Sequence, residues 1–197
     1  RSIPNPGFPG MGQPEPIARN LGQSIDLARS GNYDIVLATD GDADRLGILD
    51  EHGHFVSSLS AFSLLCLYQL EVRGLRGPVV RSLTQSNMVD RLAALYGVPV
   101  HRTSVGFKYV GKTMMEVDAV AAGEESGGFA FRGNIPERDG ILSGLMFLDL
   151  MVKTGKRPSE LVAMLAEKVG EHYYDRLDVT ISPTTLQPDI ERLAAST

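Results

Sequence analysis

The sequence predicts an α/β protein made of two consecutive units. Short apolar runs of strand length alternate with longer stretches of helical periodicity, and a polar turn at 51–53 separates the first group from the second. Of the 197 residues, 43% are apolar, which is ordinary for an α/β chain and enough to bury one good core or two small ones.

The first unit is predicted to contain one helix and two strands. A helix at 17–28 is followed by the apolar run IVLAT at 35–39, a polar loop at 40–45 and a returning strand at 46–50. The polar loop therefore begins directly where a predicted buried strand ends.

The second unit is predicted to begin with a strongly apolar helix at 60–72. The tail YYDRLDVTI, at 173–181, alternates like a strand, and Pro158 suits the first turn of a helix. The other predicted strands are 79–83, 98–102 and 119–122, and the other predicted helices are 86–96, 108–116, 139–153 and 158–169.

Composition excludes several classes of partner. The net charge of -5 comes from acidic residues spread along the chain, which provides no basic surface for nucleic acid or for an anionic membrane. No apolar run approaches the roughly 20 residues that cross a bilayer. Because Cys66 is the only cysteine, an intramolecular disulfide is impossible and we expect a cytoplasmic location. The expected partners are small molecules or proteins.

The strongest chemical signal is the acidic loop TDGDADR, in which Asp40, Asp42 and Asp44 recur at every second position. In an extended loop, alternate side chains face the same way, so the three carboxylates are predicted to converge. Like charges held that close need a cation. Three hard oxygen ligands favour Mg²⁺ or Ca²⁺ over zinc, and Mg²⁺ with a phosphate partner is the leading interpretation.

Two other interpretations of this loop remain open. It could be a solvated acidic turn, or a calcium loop in which Asp40, Asp42, Asp44 and Glu51 take the first, third, fifth and twelfth positions. The calcium loop requires glycine where Arg45 stands, and it follows a helix rather than a strand. Arg45 itself either braces a carboxylate or holds a phosphate oxygen.

A second signal is the glycine-rich segment AGEESGG, where Glu124 and Ser126 are two residues apart after a predicted strand. A carboxylate and a hydroxyl on one side of a turn suit neighbouring sugar hydroxyls, although the same composition also forms ordinary surface turns. Lys108, at the start of a predicted helix, is either a phosphate contact or a surface lysine. Arg138 has the same ambiguity, and Asp139 after it is also a candidate helix N-cap.

Together these segments resemble the α-D-phosphohexomutases, which include phosphoglucomutases and phosphomannomutases. The resemblance is carried by PEPIARNL, TDGDADRLGILDEHG, TSVGFKYVGK, GEESGG and GNIPERDGI, and it covers most of the chain. Members have three related α/β domains and a fourth of a different fold. The resemblance implies a three-layer α/β/α domain with a mixed sheet, plus part of a second related α/β unit.

The resemblance also implies a domain organisation. Residues 1–54 would be the C-terminal part of the second domain, with the metal loop; residues 55–170 the third domain, with the sugar loop; and residues 171–197 a linker and the start of the fourth. Nothing in the chain resembles the phosphoserine loop TASHNP or the distal-phosphate loop RxSGTEP. With no methionine at its start, the chain is expected to be the central piece of a longer enzyme. Its partners would include the missing domains, and alone it would be inactive.

Site roles follow from the same resemblance. Asp40, Asp42 and Asp44 would bind Mg²⁺, Arg45 would lie beside the transferred phosphoryl group, Glu124 and Ser126 would grip the sugar, and Lys108 and Arg138 would surround the sugar phosphate. Many members have lysine in place of Arg138 and histidine in place of Asn134. A guanidinium hardly ever gives up its proton, so the arginine is a poor proton donor.

The implied reaction interconverts hexose 1-phosphate and hexose 6-phosphate through a phosphoserine and a hexose bisphosphate intermediate. GEESGG favours glucose or mannose phosphate over glucosamine phosphate. Two alternatives are a Mg²⁺-dependent phosphatase with Asp40 as nucleophile and a non-catalytic calcium-binding module. Neither accounts for the GEESGG and ERDGI segments.

Overall fold

The structure is a computed structural model that describes residues 5–174 and 183–195. Its strands are β1 (Val36–Thr39), β2 (Leu46–Leu49), β3 (Phe55–Val56), β4 (Val79–Ser82), β5 (Val100–Thr103), β6 (Ala121–Gly123) and β7 (Phe129–Phe131). Its helices are α1 (Gly22–Ser30), α2 (Ser58–Leu67), α3 (Met88–Leu95), α4 (Phe107–Glu116), α5 (Gly140–Thr154), α6 (Pro158–Val169) and α7 (Pro183–Ala194). The strand predicted at 173–181 lies mostly outside the described residues.

In the first unit, β1, β2 and β3 form an antiparallel sheet in that order. Thr39 pairs with Leu46 at one end of the first hairpin, so the acidic loop at 40–45 is its connecting loop. Alternate residues of β2 face opposite sides of the sheet: Leu49 packs with α1, and Ile48 enters a large core that also contains residues of α2 and α5. The two units therefore share one hydrophobic core.

In the second unit, the strand order is β5-β4-β6-β7, with the first three strands parallel and β7 antiparallel. Val79 and Ala121 face the large core formed with α2, α5 and α6, whereas Val80 and Ala122 pack against α4. A sheet covered by helices on both faces needs apolar residues on both faces of its strands. The predicted α/β class, with a mixed sheet in three layers, is confirmed.

The topology brings the functional loops to one edge. Parallel β4, β5 and β6 end at the same side of the sheet, where ligands bind in open α/β sheets. The acidic loop reaches this edge as well, because Arg45 bridges Gly128 and the Leu46 N–H donates to the Gly127 carbonyl at 3.0 Å.

The single helix predicted at 17–28 is wrong. The structure has a 3-10 turn at Ala18–Asn20, and α1 begins at Gly22, because Leu21 leaves the helical region with φ -101° and ψ 16°. Strands β3 and β7 were not predicted, because two or three residues are too few to establish a periodicity.

Two boundary details have local causes. The strand predicted at 119–122 is observed at Ala121–Gly123, because Asp118 turns the chain with φ +50°. After Leu67, the helix predicted to reach residue 72 continues as a π-helical turn at Tyr68–Val72. Within the described residues, no helix is both long and apolar enough to cross a membrane.

Candidate active site

The acidic loop is organised by one of its own carboxylates. Asp40 Oδ1 accepts hydrogen bonds from the N–H groups of Asp44 and Arg45, both at 3.1 Å. The Ala43 N–H donates to the Asp40 carbonyl at 3.3 Å, and Ala43 has φ +60°. The loop is therefore a tight turn, so the argument from an extended loop is wrong, although the three carboxylates still converge.

The three aspartates form a group that fits a hard cation. One oxygen each of Asp40, Asp42 and Asp44 lies within 4.8 Å of the others. Asp44 Oδ1 is buried and has no hydrogen-bond partner among the described residues, while Asp42 is exposed. An all-carboxylate donor set with an orphaned buried oxygen suits Mg²⁺ or Ca²⁺.

Two arginines partly neutralise these acids. Arg138 Nη2 lies 2.5 Å from Asp44 Oδ2, and Arg45 Nε lies 3.3 Å from Asp40 Oδ2 and 3.8 Å from Asp44 Oδ1. Arg45 thus lies within ion-pair distance of two of the aspartates, and its role toward a phosphate oxygen stays a prediction. Arg138, expected around the sugar phosphate, contacts the acidic loop, and its guanidinium lies 5.7 Å from the centroid of the Phe107 ring.

The acidic loop leaves Asp44 in an unfavourable electrostatic position. Burial raises the pKa of Asp44 to about 6; Arg138 acts in the opposite direction, and the charges of Asp40 and Asp42 add to the rise. At neutral pH the ionised carboxylate is thus less stable than in water, and a bound divalent cation would relieve that cost.

The calcium-loop alternative is not compatible with this arrangement. It needs Glu51 beside the three aspartates, but Glu51 follows the far end of β2 from the acidic loop. There its carboxylate accepts hydrogen bonds from Ser159, through the N–H at 3.3 Å and through the hydroxyl. Glu51 therefore joins the first unit to the start of α6.

The sugar loop at 124–128 is a tight turn between β6 and β7. The Glu124 N–H donates to the Gly128 carbonyl at 3.0 Å, and the Gly127 N–H donates to the Glu124 carbonyl at 3.2 Å. The buried Glu124 carboxylate accepts from the Gly106 N–H at 2.7 Å, whereas Ser126 is exposed. The two predicted sugar contacts thus differ: one carboxylate oxygen is engaged by the backbone ahead of α4.

The remaining predicted site residues lie at the start of α4 and close to the start of α5. Lys108 is exposed in the first turn of α4, with Nζ 4.9 Å from the Tyr109 ring centroid. Asp139 is the N-cap of α5, because its Oδ1 accepts from the Leu142 N–H at 2.8 Å, which confirms that alternative. Asn134 Nδ2 donates to Asp139 Oδ2 at 3.1 Å.

The acidic loop and the sugar loop open onto neighbouring cavities. One, of about 470 Å³, is lined by Asp40, Asp42 and Arg45; the other, of about 950 Å³, is lined by Glu124 and Ser126. Both cavities are also lined by Gln13 and Glu15, which sequence reasoning missed. The available signal is the Pro-Glu-Pro sequence at 14–16, in which two prolines hold an acidic residue in a restricted backbone.

Comparison with known proteins identifies the family. Residues 60–169 match the model described as phosphoglucomutase/phosphomannomutase, alpha/beta/alpha domain III, and residues 1–53 match the one for domain II. The chain belongs to the α-D-phosphohexomutase family. A phosphoglucomutase/phosphomannomutase from Thermococcus kodakarensis is 33% identical over 159 residues, covering 81% of this chain and 34% of that protein.

Other phosphohexomutases show the same likeness. A phosphoglucosamine mutase from Campylobacter hominis is 35% identical over 127 residues, or 64% of this chain and 28% of that protein. The crystal structure of a putative phosphomannomutase from Thermus thermophilus matches with a TM-score of 0.80 and 36% identity, over 86% of this chain and 39% of that one. The chain spans about a third of the length of the curated relatives it matches.

Proposed function

We propose that this chain supplies the metal loop and the sugar loop of a mutase that interconverts hexose 1-phosphate and hexose 6-phosphate. The observation that carries the proposal is the direct join between the two loops. The Leu46 N–H, which follows the acidic loop, donates to the Gly127 carbonyl of the sugar loop. The cavity lined by Asp40 and Asp42 and the cavity lined by Glu124 and Ser126 are therefore neighbours, and both are lined by Glu15. We further propose domain boundaries near residues 54 and 170, and a cytoplasmic location.

Phosphoryl transfer needs charge neutralisation and alignment more than covalent help from the protein. Mg²⁺ held by Asp40, Asp42 and Asp44 would supply positive charge to the phosphoryl oxygens. Arg45 lines the same cavity and would add a second positive group there. Arg138 would hold the remaining oxygen of Asp44 and keep that carboxylate in position.

The sugar loop would hold the hexose. One Glu124 oxygen is engaged by Gly106, which leaves the other oxygen and the Ser126 hydroxyl to bond ring hydroxyls in the larger cavity. Lys108, in the first turn of α4, would attract the phosphate carried by the sugar. Contacts to ring hydroxyls suit a sugar that must bind in two orientations, once for each phosphate.

The reaction also requires groups that these residues lack. Neither a TASHNP-type serine loop nor an RxSGTEP-type phosphate loop occurs in the 197 residues. Under the proposal, the complete enzyme is this chain together with residues that supply the phosphoserine and the distal-phosphate contacts. The sugar is proposed to be glucose or mannose, on the basis of GEESGG, although relatives include phosphoglucosamine mutases.

A phosphatase mechanism with Asp40 as nucleophile is less well supported. One oxygen of Asp40 accepts two backbone N–H groups, the other lies next to Arg45 Nε, and its side chain is only 7% exposed. A nucleophilic carboxylate needs an accessible oxygen. Under the proposal, Asp40 instead shapes the loop with one oxygen and offers the other to Mg²⁺.

The test is conversion of glucose 1-phosphate and mannose 1-phosphate, with glucosamine 1-phosphate as comparator, followed by phosphorus NMR. The complete enzyme is expected to convert the first two in the presence of Mg²⁺, and the chain alone to bind Mg²⁺ weakly without turnover. Robust conversion by the purified chain would contradict the need for a serine loop. Release of phosphate, with aspartyl phosphate trapped by a fluoride analogue, would favour the phosphatase.

A further inference from the structure

We propose that Glu15 is a positioning residue that holds the Arg45 guanidinium and so keeps the aspartates of the acidic loop available to a divalent cation. This inference rests on the proposed function, because it assigns a role to a residue next to the proposed Mg²⁺ ligands. Glu15 lies 30 residues before Arg45 in sequence and lines both cavities.

The contact between the two side chains is direct. Glu15 Oε1 lies 3.0 Å from Arg45 Nη1, and the two side chains are 28% and 26% exposed. Arg45 Nε meanwhile lies 3.3 Å from Asp40 Oδ2. The guanidinium therefore lies between Glu15 and the acidic loop: Nη1 donates a hydrogen bond to Glu15, whereas the buried Nε lies near Asp40 without a hydrogen bond.

The position of Glu15 is set by rigid neighbours. Pro14 and Pro16 flank it, and each proline ring restricts its own φ. Asn20 Nδ2 donates to the Glu15 carbonyl at 2.8 Å. Pro16 is buried so closely against Gly47 of β2 that a Cβ there would collide with the Pro16 carbonyl. The backbone that carries the Glu15 side chain is thus fixed against the strand that leaves the acidic loop.

Without this anchor, Arg45 would have a competing set of partners. A guanidinium prefers two parallel hydrogen bonds to one carboxylate, and Asp40 and Asp44 are already within 4 Å of Arg45 Nε. While Nη1 is held by Glu15, the Nη1 and Nη2 pair cannot form a two-pronged bond to an aspartate, and the guanidinium cannot turn further toward the loop. Loss of the Glu15 contact would let the guanidinium turn toward Asp40 and Asp44, two of the carboxylates proposed to bind the cation.

The test is an NMR-monitored Mg²⁺ titration of the 197-residue chain, followed at the amides of Gly41 and Ala43. We expect Glu15→Gln and Glu15→Asp each to weaken Mg²⁺ binding about fivefold, the factor typical of one lost partly exposed charged contact. Glu15→Asp is decisive, because it keeps the charge but is one methylene too short to reach Arg45. Asp26→Asn, an exposed acid on α1, is the matched control and should bind as the parent does.

The same substitution in an Arg45→Gln variant distinguishes a positioning role of Glu15 from a direct effect of its charge. In Arg45→Gln, the change Glu15→Asp should have no further effect, because no guanidinium remains to be held. Wild-type affinity in Glu15→Asp, or an equal loss in both backgrounds, would overturn the inference. If the unsubstituted chain shows no Mg²⁺-dependent shifts in the acidic loop, the proposed function fails instead.

One measurement needs no variant, so misfolding cannot obscure it. Rotation about the Arg45 Cζ–Nη1 bond should remain slow by NMR when Mg²⁺ saturates the loop, because Glu15 still holds that nitrogen. Fast rotation in the Mg²⁺-bound chain would show that Glu15 does not hold Arg45, and would overturn the proposal.

Discussion

The acidic loop and the sugar loop are built in opposite ways. In the acidic loop, the exposed Asp42 is the carboxylate least involved in the fold, while Asp40 holds the turn together. In the sugar loop, the candidate ligand Glu124 is buried and bonded to Gly106, while Ser126 is exposed. The proposed function and the stability of the fold are therefore separable at some positions of each loop and inseparable at others.

The largest effect is expected on mutase turnover and at Asp42, whose exposed side chain contributes little to the fold. Asp42→Asn in the complete enzyme should reduce mutase turnover by about 10³-fold, because a carboxylate proposed to bind the metal becomes a neutral amide. The unfolding free energy should change by less than about 0.5 kcal/mol, as for most exposed substitutions. Turnover and thermal unfolding measure the two quantities. Unchanged turnover would remove the metal role assigned to Asp42.

Adding a single methyl group where the acidic loop contacts the sugar loop, at Gly127 and Leu46, should lower the free energy of unfolding. Gly127 has φ +92°, and a Cβ there would lie 2.8 Å from the Leu46 carbonyl oxygen. Gly127→Ala should cost about 3 kcal/mol in urea unfolding, from backbone strain and overpacking together. Gly97→Ala is the control, because its φ is +64° with open space around it, and it should cost only about 1 kcal/mol. Equal losses of unfolding free energy in the two variants would mean that the contact between Gly127 and Leu46 is not tightly packed.

Within the sugar loop, the two candidate ligands should differ in stability. Glu124→Ala leaves the Gly106 N–H without its acceptor and should destabilise the chain by about 2 kcal/mol. Ser126→Ala should change the unfolding free energy by less than about 0.5 kcal/mol. Chemical denaturation of both variants measures the difference, and a stable Glu124→Ala variant would contradict the structural half of the comparison.

The smallest expected effect is at Glu51, beyond the far end of β2. Burial alone would raise the pKa of Glu51, but hydrogen bonds from the Ser159 hydroxyl and from backbone groups lower it below its ordinary value of 4.5. Because the pKa is lower in the folded state, this stabilisation is complete above about pH 4.5 and is lost as the pH falls through the folded pKa.

Glu51→Gln should therefore cost about 1 kcal/mol at pH 7, and the difference from the parent should shrink in acid. Thermal unfolding between about pH 3 and pH 7 measures it. Glu167→Gln, an exposed acid on α6, is the control and should show no such pH dependence. A constant difference across this pH range would mean that the Glu51 charge does not contribute.

Features that depend on residues close together in the chain could be predicted from the sequence. The two strands flanking the acidic loop, the Asp139 cap and the start of α6 at Pro158 follow from local spacing. The aspartates converge as predicted, but through a tight turn rather than through the alternation of an extended loop. The α/β class follows in the same way, because short apolar runs of strand length alternate with longer segments of helical periodicity.

Contacts between residues far apart in the chain could not be predicted and are known from the folded structure. The join between Leu46 and Gly127, the ion pair of Arg138 with Asp44 and the contact of Glu15 with Arg45 link residues 30 or more positions apart. No periodicity encodes such pairs, because they depend on which strands end at the same sheet edge and on how closely glycines let backbones approach. The same reason explains why β3 and β7, which exist through pairing with other strands, were not predicted.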